Sequence, residues 1–127
     1  MFTYDPSTPV GKVRREIQDT KDAGIYPGAG ILPDGSNIED EDIEYYLEQY
    51  ANSIIGASIA VLTIVATAYS TLATETELGP YRESYKETVV NIRRQIALLE
   101  RRYDDEKRKP RVAVARTVVV GAEFSNG

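Results

Sequence analysis

Ala51 to Thr74 carries no charged side chain, in a chain that is 28% charged. The run reads ANSIIGASIAVLTIVATAYSTLAT. As a helix it is long enough to cross a bilayer. Three arrangements therefore compete: a membrane span, the buried central helix of a small domain, or a helix shared between subunits of an assembly.

Its residues favour protein surroundings. The flanks lack the cationic and aromatic anchoring of a typical span. Ser53, Ser58, Thr63, Thr67, Ser70 and Thr71 interrupt the apolar run. Gly56, Thr63, Thr67, Ser70 and Thr74 fall on one stripe, separated by 7, 4, 3 and 4 residues. Ile55, Ile59, Leu62 and Tyr69 lie on another side, with Ile54, Val61, Ile64, Val65, Ala68 and Leu72 beside them. Apolar residues over most of the circumference, with one stripe of small ones, predict a helix surrounded by protein. The stripe lets a neighbouring helix approach closely.

Composition narrows the chemistry. The 127 residues suit one domain with a modest core. There is no Cys, hence no disulfide framework, thiol nucleophile or zinc-thiolate site. There is no His either, which removes the usual general base and the commonest transition-metal ligand. An enzyme is not expected, nor a cofactor. MFTYDPSTP lacks a basic segment followed by an apolar run, so no signal peptide is expected and synthesis in the cytoplasm is the default. Charge is unevenly placed: residues 1–50 balance at −7 and residues 51–127 at +2. Such asymmetry suits head-to-tail complementarity between copies or partners better than nucleic-acid binding, with plain solvated surfaces as the bland alternative.

Thr8 before Pro9 is a helix start, and Val10, Val13 and Ile17 form one apolar stripe. Lys12, Arg14, Arg15 and Glu16 take the other faces of this short helix, expected from Pro9 to about Asp19. From Thr20 to Asn37 follows a long loop punctuated by Gly and Pro. Gly28 and Gly30 give G-x-G, but Pro33 stands where a third glycine belongs and no strand precedes it, so a phosphate loop is not expected. A contact surface or a mobile loop fits better.

Ile38 to Tyr50 reads IEDEDIEYYLEQY. Glu39, Asp40, Glu41 and Asp42 suit a helix N-terminus, whose dipole favours negative charge. A calcium loop fails, because counting from Asp34 the required glycine position is Glu39. No metal site is expected. Ile43, Tyr46, Leu47 and Tyr50 make the apolar side.

After the uncharged run, Gly79-Pro80 reads as a turn. Tyr81 to about Lys107 is a long helix whose Tyr85, Val89, Ile92, Ile96, Leu99 and Tyr103 step by 4, 3, 4, 3 and 4. This seam predicts an antiparallel hairpin with the uncharged helix. Beyond Pro110 the period changes: Val112, Val114, Val118 and Val120 alternate with smaller or polar residues, the pattern of a strand over Arg111–Gly121. A lone strand has unmatched backbone groups, so Arg111, Val112, Val114, Arg116, Val118 and Val120 are candidates for strand addition to a partner. A loosely packed tail is the alternative.

The chain resembles the head–tail connector (adaptor) proteins of tailed bacteriophages. The resemblance lies in TPVGKVRREIQDT and IEDEDIEYYLEQY, through Val13-Arg14, Ile17, Asp19-Thr20, Asp40-Glu41-Asp42-Ile43 and Leu47. It covers roughly the first 75 residues and the hairpin topology. The loop from Lys21 to Asn37 is longer and richer in glycine than usual there, and Glu39 stands where a hydroxyl cap is common. The resemblance implies a virion protein without catalytic residues. It implies a homo-oligomeric ring, commonly of twelve copies, seated below the portal protein, which extends the DNA channel and docks the next tail-side connector, a stopper or tail component. DNA passes such a ring without sequence-specific binding, and no membrane is involved.

The expected fold is mainly α: a helical body over residues 1–109 and an extended arm over residues 110–127 that holds a lone strand. The body comprises a short N-terminal helix, an acidic helix and a long antiparallel hairpin. The stripe Gly56, Thr63, Thr67 and Ser70 packs against a helix, and Glu39 to Asp42 face a channel or a neighbouring subunit. The competing reading is a small, holin-like phage membrane protein with residues 51–74 in the bilayer.

Overall fold

A computed structural model describes the backbone of residues 1–121 and the side chains of residues 1–107. The described residues form four helices: α1 (Pro9–Ile17), α2 (Asp40–Gln49), α3 (Ile54–Glu75) and α4 (Gly79–Gly121). The protein is mainly helical, with a long antiparallel hairpin. The strand expected over Arg111–Gly121 lies outside the residues whose side chains are described; the backbone there runs on as the last turns of α4.

Helix α1 begins as its sequence predicts. The Thr8 hydroxyl accepts from the Gly11 amide at 3.0 Å, and Pro9 takes the first position, where its missing N–H costs nothing. It ends two residues earlier than expected. Gln18 adopts a left-handed conformation (φ 63°), which closes the helix and releases Asp19 to turn inward. Gly11 has a separate role: a Cβ there would sit 1.7 Å from the Asp5 carbonyl oxygen. The N-terminal segment can lie against α1 only because that atom is missing.

The uncharged run does not begin as helix. Ala51 and Asn52 are both left-handed (φ 53° and 65°), and the Asn52 amide returns to the Leu47 carbonyl at 2.7 Å. Ser53 then caps α3, accepting from the Gly56 amide at 3.0 Å and donating to Glu106 of α4 at 2.6 Å.

Helix α3 is the centre of the core. Its Ala57, Val61, Leu62 and Val65 meet Val13 and Ile17 of α1, Ile43 and Leu47 of α2, and Ile92 and Leu99 of α4. Burial of these side chains is the main stabilising term, each worth about 1.5–3 kcal/mol when complete. The connection to α4 is Thr76 to Leu78. Gly79 and Pro80, expected as the turn, instead open α4, since proline in a first turn breaks no helical hydrogen bond. Arg82 braces the corner by donating Nη2 and Nε to the Thr76 carbonyl at 2.7 and 3.2 Å.

The predicted seam of α4 lies on α3. Ile92 and Leu99 are buried, and Tyr85, Val89, Ile96 and Tyr103 are half-buried. Tyr85 meets Tyr69, and Tyr103 meets Tyr50 edge-on, with ring centroids 6.1 and 6.2 Å apart. Helix α4 also touches α1. Gln95 donates to the Glu16 carbonyl at 2.9 Å, and Arg102 grips the Glu16 carboxylate at 2.9 and 3.1 Å.

Candidate interaction surface

Arg14 was expected on a polar face of α1, yet it is fully buried. Its Nη1 donates to Asp19 at 3.1 Å, Nη2 to Asp40 at 2.6 Å and to the Ile38 carbonyl at 2.7 Å, and Nε to the Thr3 carbonyl at 2.8 Å. Phe2 covers the guanidinium at 4.2 Å from its ring centroid. Asp19, also fully buried, accepts from the amides of Ile31 and Ile38 and from Asn37 at 3.2, 2.9 and 2.8 Å. Two side chains thereby tie the N-terminal segment, α1, both ends of the long loop and the start of α2. The signal in the sequence was that both residues belong to the motif carrying the connector resemblance.

This node divides the acidic cluster. Asp40 points into it, with 16% of its side chain exposed. Burial raises its carboxyl pKa, but hydrogen bonds from Arg14 and Thr3 outweigh that and hold it below the ordinary value. Glu39 caps α2 by position without a side-chain hydrogen bond to the helix; it and Glu41 instead meet the Met1 amino group. Glu41 and Asp42 are exposed. So are Glu44, Tyr45 and Glu48, which continue the outer face of α2.

The stripe on α3 is divided as well. Gly56 is buried, where a Cβ would meet the rings of Tyr50 and Tyr103 at 2.9 to 3.1 Å. Thr63, Thr67 and Thr74 are exposed, and Ser70 is half-buried. Ile64 and Thr71 share this open face. Within one chain, then, α3 is not surrounded by protein. Only 39% of its most apolar stretch is buried. The threonine hydroxyls donate back to carbonyls four residues earlier: Thr63 to Ile59, Thr67 to Thr63 and Thr74 to Ser70, at 2.8, 2.9 and 3.1 Å. With the hydroxyl donors of Thr63, Thr67 and Thr74 occupied inside the helix, the face offers no charge and few free donors.

Two grooves run beside it, between α3 and α4. One, of about 590 Å³, is lined by Ser70, Ala73, Thr74, Val89 and Val90 together with the cationic Arg82 and Lys86. The other, of about 290 Å³, lies between Thr63, Ala66 and Thr67 and the side chains of Arg93, Ile96 and Glu100. The long loop adds a further exposed apolar point, Ile25-Tyr26. Among the described residues no three His, Cys, Asp or Glu side chains gather as metal ligands. The strand-addition residues Arg111, Val112, Val114, Arg116, Val118 and Val120 lie outside the described side chains.

No family model, curated protein or solved structure matches this chain. The surface combines an uncharged helix face, grooves lined by apolar and cationic side chains, and an acidic helix.

Proposed function

We propose that the protein is a structural virion component, a head–tail connector that forms a ring, dodecameric by the resemblance, below the portal of a tailed phage. It extends the DNA channel and offers the docking surface for the next tail component. The observation that carries this reading is the open, uncharged face of α3 at Thr63, Ile64, Thr67 and Thr71. A 22-residue apolar helix with one bare face needs a neighbour, and a ring supplies one to every copy. The motif resemblance in residues 1–75 points to the same class of assembly.

In this reading the arm beyond Pro110 attaches to the portal, with Arg111–Gly121 exchanging the helical backbone it has in the single chain for a strand added to a sheet edge there. The acidic start of α2 lies at the channel or between subunits; on a channel wall its negative charge would keep passing DNA from sticking. Removing residues 111–127 leaves the body folded and abolishes portal attachment, as seen by electron microscopy or by the mass of the mixture. Undiminished attachment of the truncated chain would refute the role of the arm. Failure of the full chain to bind any portal or capsid vertex would refute the connector.

One observation favours a second reading. Helix α3 is long and apolar enough to cross a membrane. A holin-like protein would need detergent for extraction, whereas the connector purifies from the aqueous fraction without it.

A further inference from the structure

We infer that copies of this chain associate head-to-tail, with the outer face of α2 on one copy seated in the α3/α4 groove of the next. The inference rests on the connector reading only in taking the protein as one that works in several copies. Two complementary surfaces support it. On α2, Glu41, Glu44, Tyr45 and Glu48 lie on one exposed face, and helix α2 has no basic residue at all. Tyr45 is 54% exposed, an aromatic ring standing among three carboxylates. The groove is its counterpart: the apolar Ala73, Val89 and Val90 line it beside the cations Arg82 and Lys86, with Arg93 further along α4.

The spacings agree too. Glu44 and Glu48 are one helical turn apart, about 6 Å along the axis, and so are Arg82 and Lys86. Laid antiparallel, Glu48 faces Arg82 and Glu44 faces Lys86; Tyr45 is then level with Tyr85 and leans toward the N-terminus of its own helix, which aims its ring along the groove toward Val89. Arg82 has its Nε and Nη2 committed to the Thr76 carbonyl, which holds the guanidinium in place and leaves Nη1 for the incoming carboxylate. Among the described residues Lys86 pairs with Glu83 at a long 3.9 Å, with both side chains exposed, and can exchange that partner. Donor and acceptor surfaces differ, so each copy keeps one of each free and the contact repeats. Burying Tyr45 supplies the apolar gain, and the charges set register and partner.

The test is reciprocal charge reversal in the full-length chain, followed by analytical ultracentrifugation. Glu44→Lys forms one variant, and Lys86→Glu the other. Both residues are exposed, so helical circular dichroism should match the parent. Each variant alone is expected to lose self-association by about tenfold or more, and an equimolar mixture to regain it. A second measurement uses the absence of cysteine. Glu41→Cys mixed with Val90→Cys, positions that this register brings opposite each other to within one residue, should yield a disulfide dimer of the two variants on mild oxidation. A chain that stays monomeric at every soluble concentration overturns the inference. So do self-association indifferent to the reversals and a mixture that fails to recover. Each of these leaves the connector reading to be judged separately, by whether the chain occupies a portal vertex.

Discussion

Arg14 and Asp19 meet at 3.1 Å with neither side chain exposed to solvent. A charge buried so completely is tolerable only because every strong partner is present. Removing the cation leaves Asp19 buried without its counter-ion. Arg14→Met should therefore cost about 3–5 kcal/mol of unfolding free energy, measured by urea titration. Adding Asp19→Asn and Asp40→Asn to the same chain should recover part of the loss. If Arg14→Met costs under about 1 kcal/mol, the node is not what holds the N-terminal half together.

Asp40 gives the node an acid dependence. Its folded-state pKa is lowered from 3.8, so folding favours the ionised form. The stabilisation is present above the unfolded value and disappears as pH falls through the lower, folded one. Urea midpoints should thus fall steeply once pH drops to and below 3.8. Asp40→Asn should flatten that part of the profile and lower stability near neutrality. An unchanged profile would show that Asp40 gains nothing from Arg14.

Gly56 lies where α3 passes between Tyr50 and Tyr103, with space for no more than hydrogen. Gly56→Ala should destabilise by about 1–3 kcal/mol, against the usual helix preference for alanine over glycine. Combining it with Tyr50→Ala should show coupling, because the nearest ring atoms, 2.9 and 3.0 Å from the added methyl, are then gone. A stabilised Gly56→Ala variant would mean that the rings shift freely.

Thr67 tests the open face. Its side chain is exposed and its hydroxyl is satisfied within the helix. Thr67→Arg should alter unfolding free energy by less than about 0.5 kcal/mol and leave the chain in the aqueous fraction. In a bilayer the same change, near the middle of the helix, would cost about 2.5–3.5 kcal/mol of insertion. Loss of membrane association by the variant, where the parent had it, would favour the second reading.

What the residues determine by themselves is everything that repeats along one helix. The 4-3-4-3-4 seam from Tyr85 to Tyr103, the Thr8-Pro9 start and the acidic opening of α2 follow from local spacing and from backbone groups that every helix end leaves free. The hairpin follows too, since only one apolar helix was available to cover that seam. Tertiary structure decided the rest. Arg14 reads as one more cation on an amphipathic helix until Asp19, Asp40 and the Ile38 carbonyl arrive from other parts of the chain. Gln18, Ala51 and Asn52 end helices in left-handed conformations that no glycine announces. The stripe Gly56, Thr63, Thr67 and Ser70 looks uniform in sequence, yet only its first residue is buried against tyrosines. Periodicity tells which residues share a face. Which faces are covered depends on long-range packing, and α3 keeps one face open because three helices cannot enclose a fourth on every side.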